Sequence, residues 1–266
     1  MQRQPAVAGR FYPGRAELLL RTLEQLIPAA VSVPALGIMV PHAGYVYSGS
    51  VAGATFARVD MPSRVVILGP NHHGYGPAAS LYAKGTWLTP LGEIAIDEEL
   101  ALQLLASCPL LEADTLAHHL EHSLEVQVPF IQKRSQQTRL VPICLGHLQL
   151  PQLLELGAAI GKTLAASPGE TLLVASSDMT HYEPEATARR KDHGALAFVL
   201  DLDPAGLYRH VVQERITMCG VLPTVVMLAA ARTLGATHAE LVQYATSGDV
   251  TGDQSEVVGY AGVIVS

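Results

Sequence analysis

Short apolar runs alternate along this chain with longer segments of helical period. Leucines at positions 18, 19, 20, 23 and 26 place a helix over Arg15 to Ile27. Leu36 to Val40 is too short for a helix and reads as a buried strand. A small-residue helix over Ser50 to Val59 and a strand over Arg64 to Leu68 follow. Strand, helix and strand in that order make a βαβ unit, whose crossover is right-handed. Trp87 to Ile96 reads as irregular strand or hairpin, and Asp97 to Ala106 as a helix with Asp97 as its N-cap and an acidic first turn.

The second half continues the alternation. Helices are expected over Ser123 to Lys133, Leu150 to Ala166, Ala186 to Leu200, Pro204 to Gln213 and Val221 to Leu234. Strands are expected over Arg139 to Leu145 and Thr171 to Ala175, with Glu240 to Thr246 and Val257 to Val265 closing the chain as an antiparallel pair. The pattern predicts an α/β fold with a mostly parallel central sheet and helices on both faces. No linker, charge block or repeat marks a boundary, so residues 1–266 read as a single domain.

Composition narrows the class. Apolar residues make up 49% and charged residues 15%, which suits a sheet buried on both faces. A formal charge of -7 argues against nucleic acid or an anionic membrane as partner, since both need a basic face. Three widely spaced cysteines (Cys108, Cys144, Cys219) with no CxxC pair speak against a disulfide framework or a thiolate zinc site. Without an apolar signal core or a run of the ~20 residues needed to span a bilayer, a soluble cytoplasmic protein is expected.

Two motifs are set aside. Gly157-Ala158-Ala159-Ile160-Gly161-Lys162-Thr163 resembles a phosphate loop, but it is one residue short between its glycines and lies inside a helix. His118-His119-Leu120-Glu121-His122 fits H-x-x-E-H, yet it directly precedes a more convincing helix and lacks a third ligand on a later one. His122 is the histidine of this stretch expected to line a pocket.

The informative feature is where three strands end. Leu36 to Val40 breaks off into Pro41-His42-Ala43-Gly44-Tyr45, Val65 to Leu68 into Gly69-Pro70-Asn71-His72-His73-Gly74, and Thr171 to Ala175 into Ser176-Ser177-Asp178-Met179-Thr180-His181. Carboxyl ends of parallel strands share one edge of a sheet, so His42, His72, Asp178 and His181 converge. A fourth strand runs into Ser247-Gly248-Asp249-Val250-Thr251-Gly252-Asp253, where Asp249 or Asp253 could supply an anionic ligand. Two imidazoles and one carboxylate leave open positions on a divalent ion, the arrangement favoured by non-haem Fe(II).

These segments, with Glu121-His122-Ser123-Leu124-Glu125, Cys219-Gly220, the opening Ala8-Gly9-Arg10-Phe11-Tyr12-Pro13 and the closing Val258-Gly259-Tyr260-Ala261, follow the order found in the Memo family. The chain resembles that family over nearly its whole length. Prokaryotic members carry the label AmmeMemoRadiSam system protein B and are associated with a radical-SAM protein and a small third protein. The resemblance implies a fold similar to the class III extradiol ring-cleaving dioxygenases, in which two histidines and a glutamate hold Fe(II) and a further histidine is the acid/base. On that pattern His42 and His72 are metal ligands, and His181 is the proton-transfer residue with Asp178 beside it. Animal relatives have a cysteine in the loop after the penultimate strand where this chain has Val250, which leaves Asp249 as the nearest anion for the third ligand position. Tyr45, His73 and His122 are expected in the pocket wall.

Three functions are compatible with this reading. The first is a redox or O2-dependent enzyme acting on a small molecule or partner group through a divalent metal such as Fe(II). The second is a non-enzymatic module whose cleft binds a peptide or a radical-SAM partner. The third is a metal-dependent hydrolase with Asp178 as base.

Overall fold

Four short strands lie in parallel at the centre, in the spatial order Gly37–Val40, Thr171–Ser176, Arg64–Pro70 and Arg139–Leu145. The structure is a computed structural model and describes residues 1–266. Their register aligns the ends: Val40 lies opposite Ser176, and Leu68 lies between Ala175 and Ile143. Successive side chains along these strands point to opposite faces, and both faces are covered. Met39, Val66 and Leu68 enter one cluster of 39 buried apolar residues, while Ile38, Val40, Val65 and Ile67 enter another of 27. That is why the strands read as continuous apolar runs rather than alternating ones. Each large side chain so buried contributes roughly 1.5–3 kcal/mol.

The sheet extends antiparallel on both sides, so it is mixed, with nine strands in all. Val257–Val265 pairs antiparallel with Gly37–Val40 and with Ala239–Thr246, and Ala79–Leu81 pairs antiparallel with Arg139–Leu145. The expected closing pair is present in that arrangement. Residues Gln2–Arg3 join the Thr86–Thr89 and Gly92–Ala95 hairpin in a second, three-stranded sheet.

Several helices begin where their chemistry dictates. Asp97 caps Glu98–Ser107 by accepting from Leu100 N at 3.1 Å. Gly157 and Gly161 lie inside Leu150–Ala166, facing the Val221–Thr233 helix. A Cβ on Gly157 would fall 2.6 Å from Ala229 Cβ, and one on Gly161 would fall 2.7 Å from the Ala230 carbonyl. These glycines serve close helix packing rather than phosphate binding.

Two boundaries differ from expectation. The second helix spans Tyr45–Ala57, starting well before Ser50, because Gly44 sits at its N-cap and Tyr45 N bonds to Phe11 O at 2.8 Å. The stretch after Ser123 is a 3-10 turn at Glu125–Gln127 followed by a helix over Val128–Arg134, with Pro129 in the first turn. No helix is long and apolar enough to cross a membrane.

Candidate metal centre

Three strand ends and one loop meet at the carboxyl edge of the parallel strands. His42 follows Gly37–Val40, His72 follows Arg64–Pro70, and His122 comes from the loop after the four-residue helix Leu116–His119. The ring centroids lie 5.3 Å apart for His42 and His72, 5.5 Å for His42 and His122, and 4.7 Å for His72 and His122. One nitrogen from each ring lies within 4.8 Å of the others, a spacing that could hold a metal ion.

Hydrogen bonds assign the tautomers of two of these rings. Ser176 Oγ donates its single proton to Ser123 O at 2.6 Å and accepts from Gln127 Nε2 at 2.9 Å. His42 Nδ1, 3.0 Å from the same oxygen, must therefore be the donor there, leaving a lone pair on Nε2. His72 Nδ1 lies 2.8 Å from Glu121 Oε1, which only accepts, so its Nε2 is also free to ligate. Glu121 further accepts from the backbone N of His72 at 2.7 Å and of Ser123 at 2.9 Å. Burial works to raise the Glu121 carboxyl, but these bonds and the His72 ring outweigh it and hold it well below the usual range.

Burial keeps two of the three rings neutral. Burial, reinforced by His72, pushes His42 down to about 3, and burial with His42 pushes His122 down to about 4. A metal ligand must be deprotonated at its donor atom, and these rings are so at neutral pH. Imidazole nitrogens suit Fe, Zn, Ni or Cu better than Mg or Ca, so three of them fit a divalent transition ion.

Asp178 and His181 are both present, but not as a pair. Asp178 Oδ1 accepts from the backbone N of His42 at 2.7 Å and of Ala43 at 3.3 Å, fixing the turn that carries His42. Burial raises its carboxyl against those bonds. His181 is held instead by Thr217: its N bonds to Thr217 Oγ1 at 2.7 Å and its Nδ1 lies 2.9 Å from Thr217 O. A carbonyl only accepts, so Nδ1 carries a proton and Nε2 remains to exchange one.

Three expected residues lie elsewhere. Asp249 faces away from the histidines, accepting from Thr246 N at 2.7 Å and pairing with Arg189 at 3.3 Å, while Val250 is half exposed. The short helix Gly248–Thr251 turns the loop so that Asp249 closes its own first turn. Tyr45 is buried in the core, with its hydroxyl donating to Val126 O at 2.7 Å. His73 is exposed and stacks on Tyr75, 5.9 Å away. The expected wall positions are occupied instead by Tyr47 and Phe11, the latter with its ring 4.7 Å from that of His122.

Two contributors escaped the sequence reading. Cys219, from the loop before Val221–Thr233, brings its Sγ to 3.2 Å from His42 Nε2. Burial, and then the Asp178 charge, raise this thiol well above its ordinary value. The Cys219-Gly220 pair was the available signal: a Cβ on Gly220 would lie 2.4 Å from Ser176 O, so only glycine lets that loop lie against the strand end. The other is Arg3, buried, whose Nε donates to His118 O and Nη2 to Glu121 O, each at 2.7 Å, while Nη1 pairs with Glu125 at 2.7 Å. It ties the N-terminal segment to the loop bearing Glu121 and His122. His118 itself is a core residue, its ring 3.2 Å from Ser80 O, which closes the H-x-x-E-H reading.

A cleft of about 830 Å³ opens above the cluster and is lined by His42, His72, His122, His181, Asp178 and Cys219 among others. The larger part of its remaining wall comes from the N-terminal segment and the 247–260 region.

The site and the mixed sheet together define an α/β protein with a histidine cluster at the strand ends. The Memo-like protein family profile matches residues 3–264, and the chain belongs to the Memo family. It is 41% identical to a MEMO1 family protein of Methanopyrus kandleri and 43% identical to one of Methanosarcina barkeri, in each case over 99% of both chains. A MEMO1 family protein of Aquifex aeolicus is 42% identical over 98% of both. The crystal structure of an uncharacterized protein from Escherichia coli K12 shares the fold, with a TM-score of 0.57 at 13% identity, covering 85% of this chain and 98% of that one.

Proposed function

We propose that His42, His72 and His122 hold a divalent transition ion, Fe(II) foremost, and that the protein carries out a redox or O2-dependent transformation in the cleft above it. The observation that carries this reading is the pair of assigned tautomers. His42 and His72 each have Nδ1–H tied to an acceptor, so their Nε2 lone pairs face the cluster, that of His42 lying 3.2 Å from the Cys219 thiol, which a bound ion would displace or recruit. A module that only binds a ligand needs the cleft but has no use for that arrangement. The bound ion would supply Lewis acidity, electron transfer and open positions for substrate or O2.

The chain's own residues would do the rest. His181 Nε2 accepts or returns the substrate proton, its ring fixed through Nδ1 by Thr217 O. Asp178 keeps the His42 turn in place through two backbone amides. Phe11, Tyr47 and Tyr260 would offer ring surface to the substrate in the cleft wall. The substrate in this proposal is a small molecule or a group carried by a partner polypeptide, a radical-SAM protein being one such partner. Protein reconstituted anaerobically with Fe(II) tests it through O2 uptake on adding catechol-like compounds. Uptake that needs protein, Fe(II) and His181 supports the oxygenase reading. Hydrolysis of ester or amide probes without O2 uptake would replace it.

A further inference from the structure

The cleft has a chemical character that the metal centre leaves unused. No Lys or Arg lines it, while three carboxylates do: Asp178, Asp253 and Glu256. None of the three is in an ion pair with Lys or Arg. Asp178 is at the buried end, and Asp253 and Glu256 are exposed at the mouth. Asp253 Oδ1 accepts from Ser255 Oγ at 2.6 Å and from Ser255 N at 2.9 Å, which holds that carboxyl below the usual range and leaves Oδ2 without a partner.

Aromatic rings share this wall, and two of them are placed in ways that packing does not explain. Tyr182 is 75% exposed, yet its backbone is held at φ 59, the left-handed region that is strained for a bulky residue. Its ring gains no burial from that strain, and it lines the cleft. Tyr260 is the converse: only 2% exposed, it also lines the cleft, and its hydroxyl has no hydrogen-bond partner in the protein without being sealed from the cleft. The ring is fixed by burial while its hydroxyl stays open to the cleft, unpartnered by the protein and free to bond a ligand there.

Ring faces attract cations through their quadrupole, and unpaired carboxylates add to that attraction while repelling anions. A cavity of about 830 Å³ is ample for a small ligand or one extended side chain. We infer that the mouth of the cleft, formed by Asp253, Glu256 and Tyr182, recognises a protonated amine or guanidinium on an aliphatic or aromatic stem that reaches toward the histidines. This deepens the metal-centre reading by naming its substrate class, and it stands on different residues. The cation is either a free small amine or a Lys or Arg side chain of a polypeptide.

Calorimetric titration of the full chain, both metal-free and zinc-loaded, tests this with tyramine and 4-hydroxyphenylacetate. The two probes share ring and hydroxyl and differ in the sign of the tail. Tyramine is expected to bind at least about tenfold more tightly in the metal-free protein, with that preference falling below about threefold in Asp253→Asn/Glu256→Gln. Both positions are exposed, so the variant folds, and circular dichroism verifies it. Tyr182→Ala is expected to weaken tyramine binding and leave the acetate unchanged. A lysine peptide and its acetyl-lysine counterpart identify the source. Tighter binding of the free-lysine peptide than of tyramine assigns a polypeptide side chain, and the reverse order assigns a small amine. Equal or tighter binding of 4-hydroxyphenylacetate, a preference that persists in the double variant, or no binding of any cationic probe overturns the inference. Failure of metal retention, by contrast, would leave the preference in metal-free protein untouched and count only against the metal centre.

Discussion

Glu121 holds His72 at two points, Oε2 accepting its backbone amide at 2.7 Å and Oε1 accepting Nδ1–H at 2.8 Å. One carboxylate thereby sets both the position of the residue and the tautomer of its ring. Glu121→Gln keeps the shape but can present an NH2 to Nδ1, so the ring loses its assigned orientation. Affinity for Zn(II) or Fe(II), measured by chelator competition, should fall about 10–100-fold. Unchanged affinity would show that the carboxylate has no part in preparing the site.

Ser176 does the corresponding work for His42, with its Oγ shared among Ser123 O, Gln127 Nε2 and His42 Nδ1. Ser176→Ala strips a partner from three buried groups at once. Stability should drop by about 1–3 kcal/mol, read as a shift in the urea midpoint at constant slope. Metal affinity should fall with it.

Arg3 lies far from the cluster in sequence and is joined to it through Glu121 O and His118 O. Arg3→Met leaves Glu125 buried with the amides of Ala6 and Val7 and the Tyr12 hydroxyl but no cation. Loss of one partner of a buried pair costs about 3–5 kcal/mol. Arg3→Lys should recover only part of this, because an ammonium cannot reach all three acceptors. Full stability in Arg3→Lys would mean that charge alone, not the forked geometry, holds the segment.

Three histidines set the acid response of the metal-free protein. Burial pushes His42, His118 and His122 down from 6.5 to about 3, about 3 and about 4. As pH falls below 6.5 the unfolded chain takes up these protons and the folded chain does not. The associated stability is therefore complete above pH 6.5 and is lost on acidification toward pH 4, at on the order of 1 kcal/mol per pH unit for each histidine. Glu121, held below its ordinary value, adds a loss in the same direction at still lower pH. His118→Gln should make the dependence between pH 6.5 and 4.5 shallower by one proton in urea titrations. A slope identical to that of the parent chain would contradict the buried neutral His118.

The sheet and the convergence of His42, His72 and Asp178 were legible because continuous apolar runs end abruptly in polar residues, and parallel strands share an edge. Leu150–Ala166, Arg139–Leu145 and Val257–Val265 follow the apolar pattern to the residue. What was not legible depends on phase and on distant contacts. Tyr45 and Tyr47 both follow His42, and which faces the cleft depends on a helix start set by Phe11 O, a contact from another segment. Asp249 is adjacent to a strand end, yet its carboxylate closes a local turn and meets Arg189. Cys219 reaches the site from a loop and Arg3 from a two-residue strand, on paths no local pattern encodes, and His122 becomes the third histidine only because Arg3 and Glu121 anchor its loop.

The central claim is that His42, His72 and His122 together hold one divalent ion. Metal content of protein prepared without oxygen, loaded with Fe(II) or Zn(II) and desalted, tests it most directly, with His42→Ala, His72→Ala, His122→Ala and the His42→Ala/His72→Ala double variant in parallel. About one equivalent is expected in the parent chain, strongly reduced retention in each single variant and none in the double variant, with all five chains folded by circular dichroism. Stoichiometric metal in the double variant, or retention unaffected by His122→Ala, would contradict it.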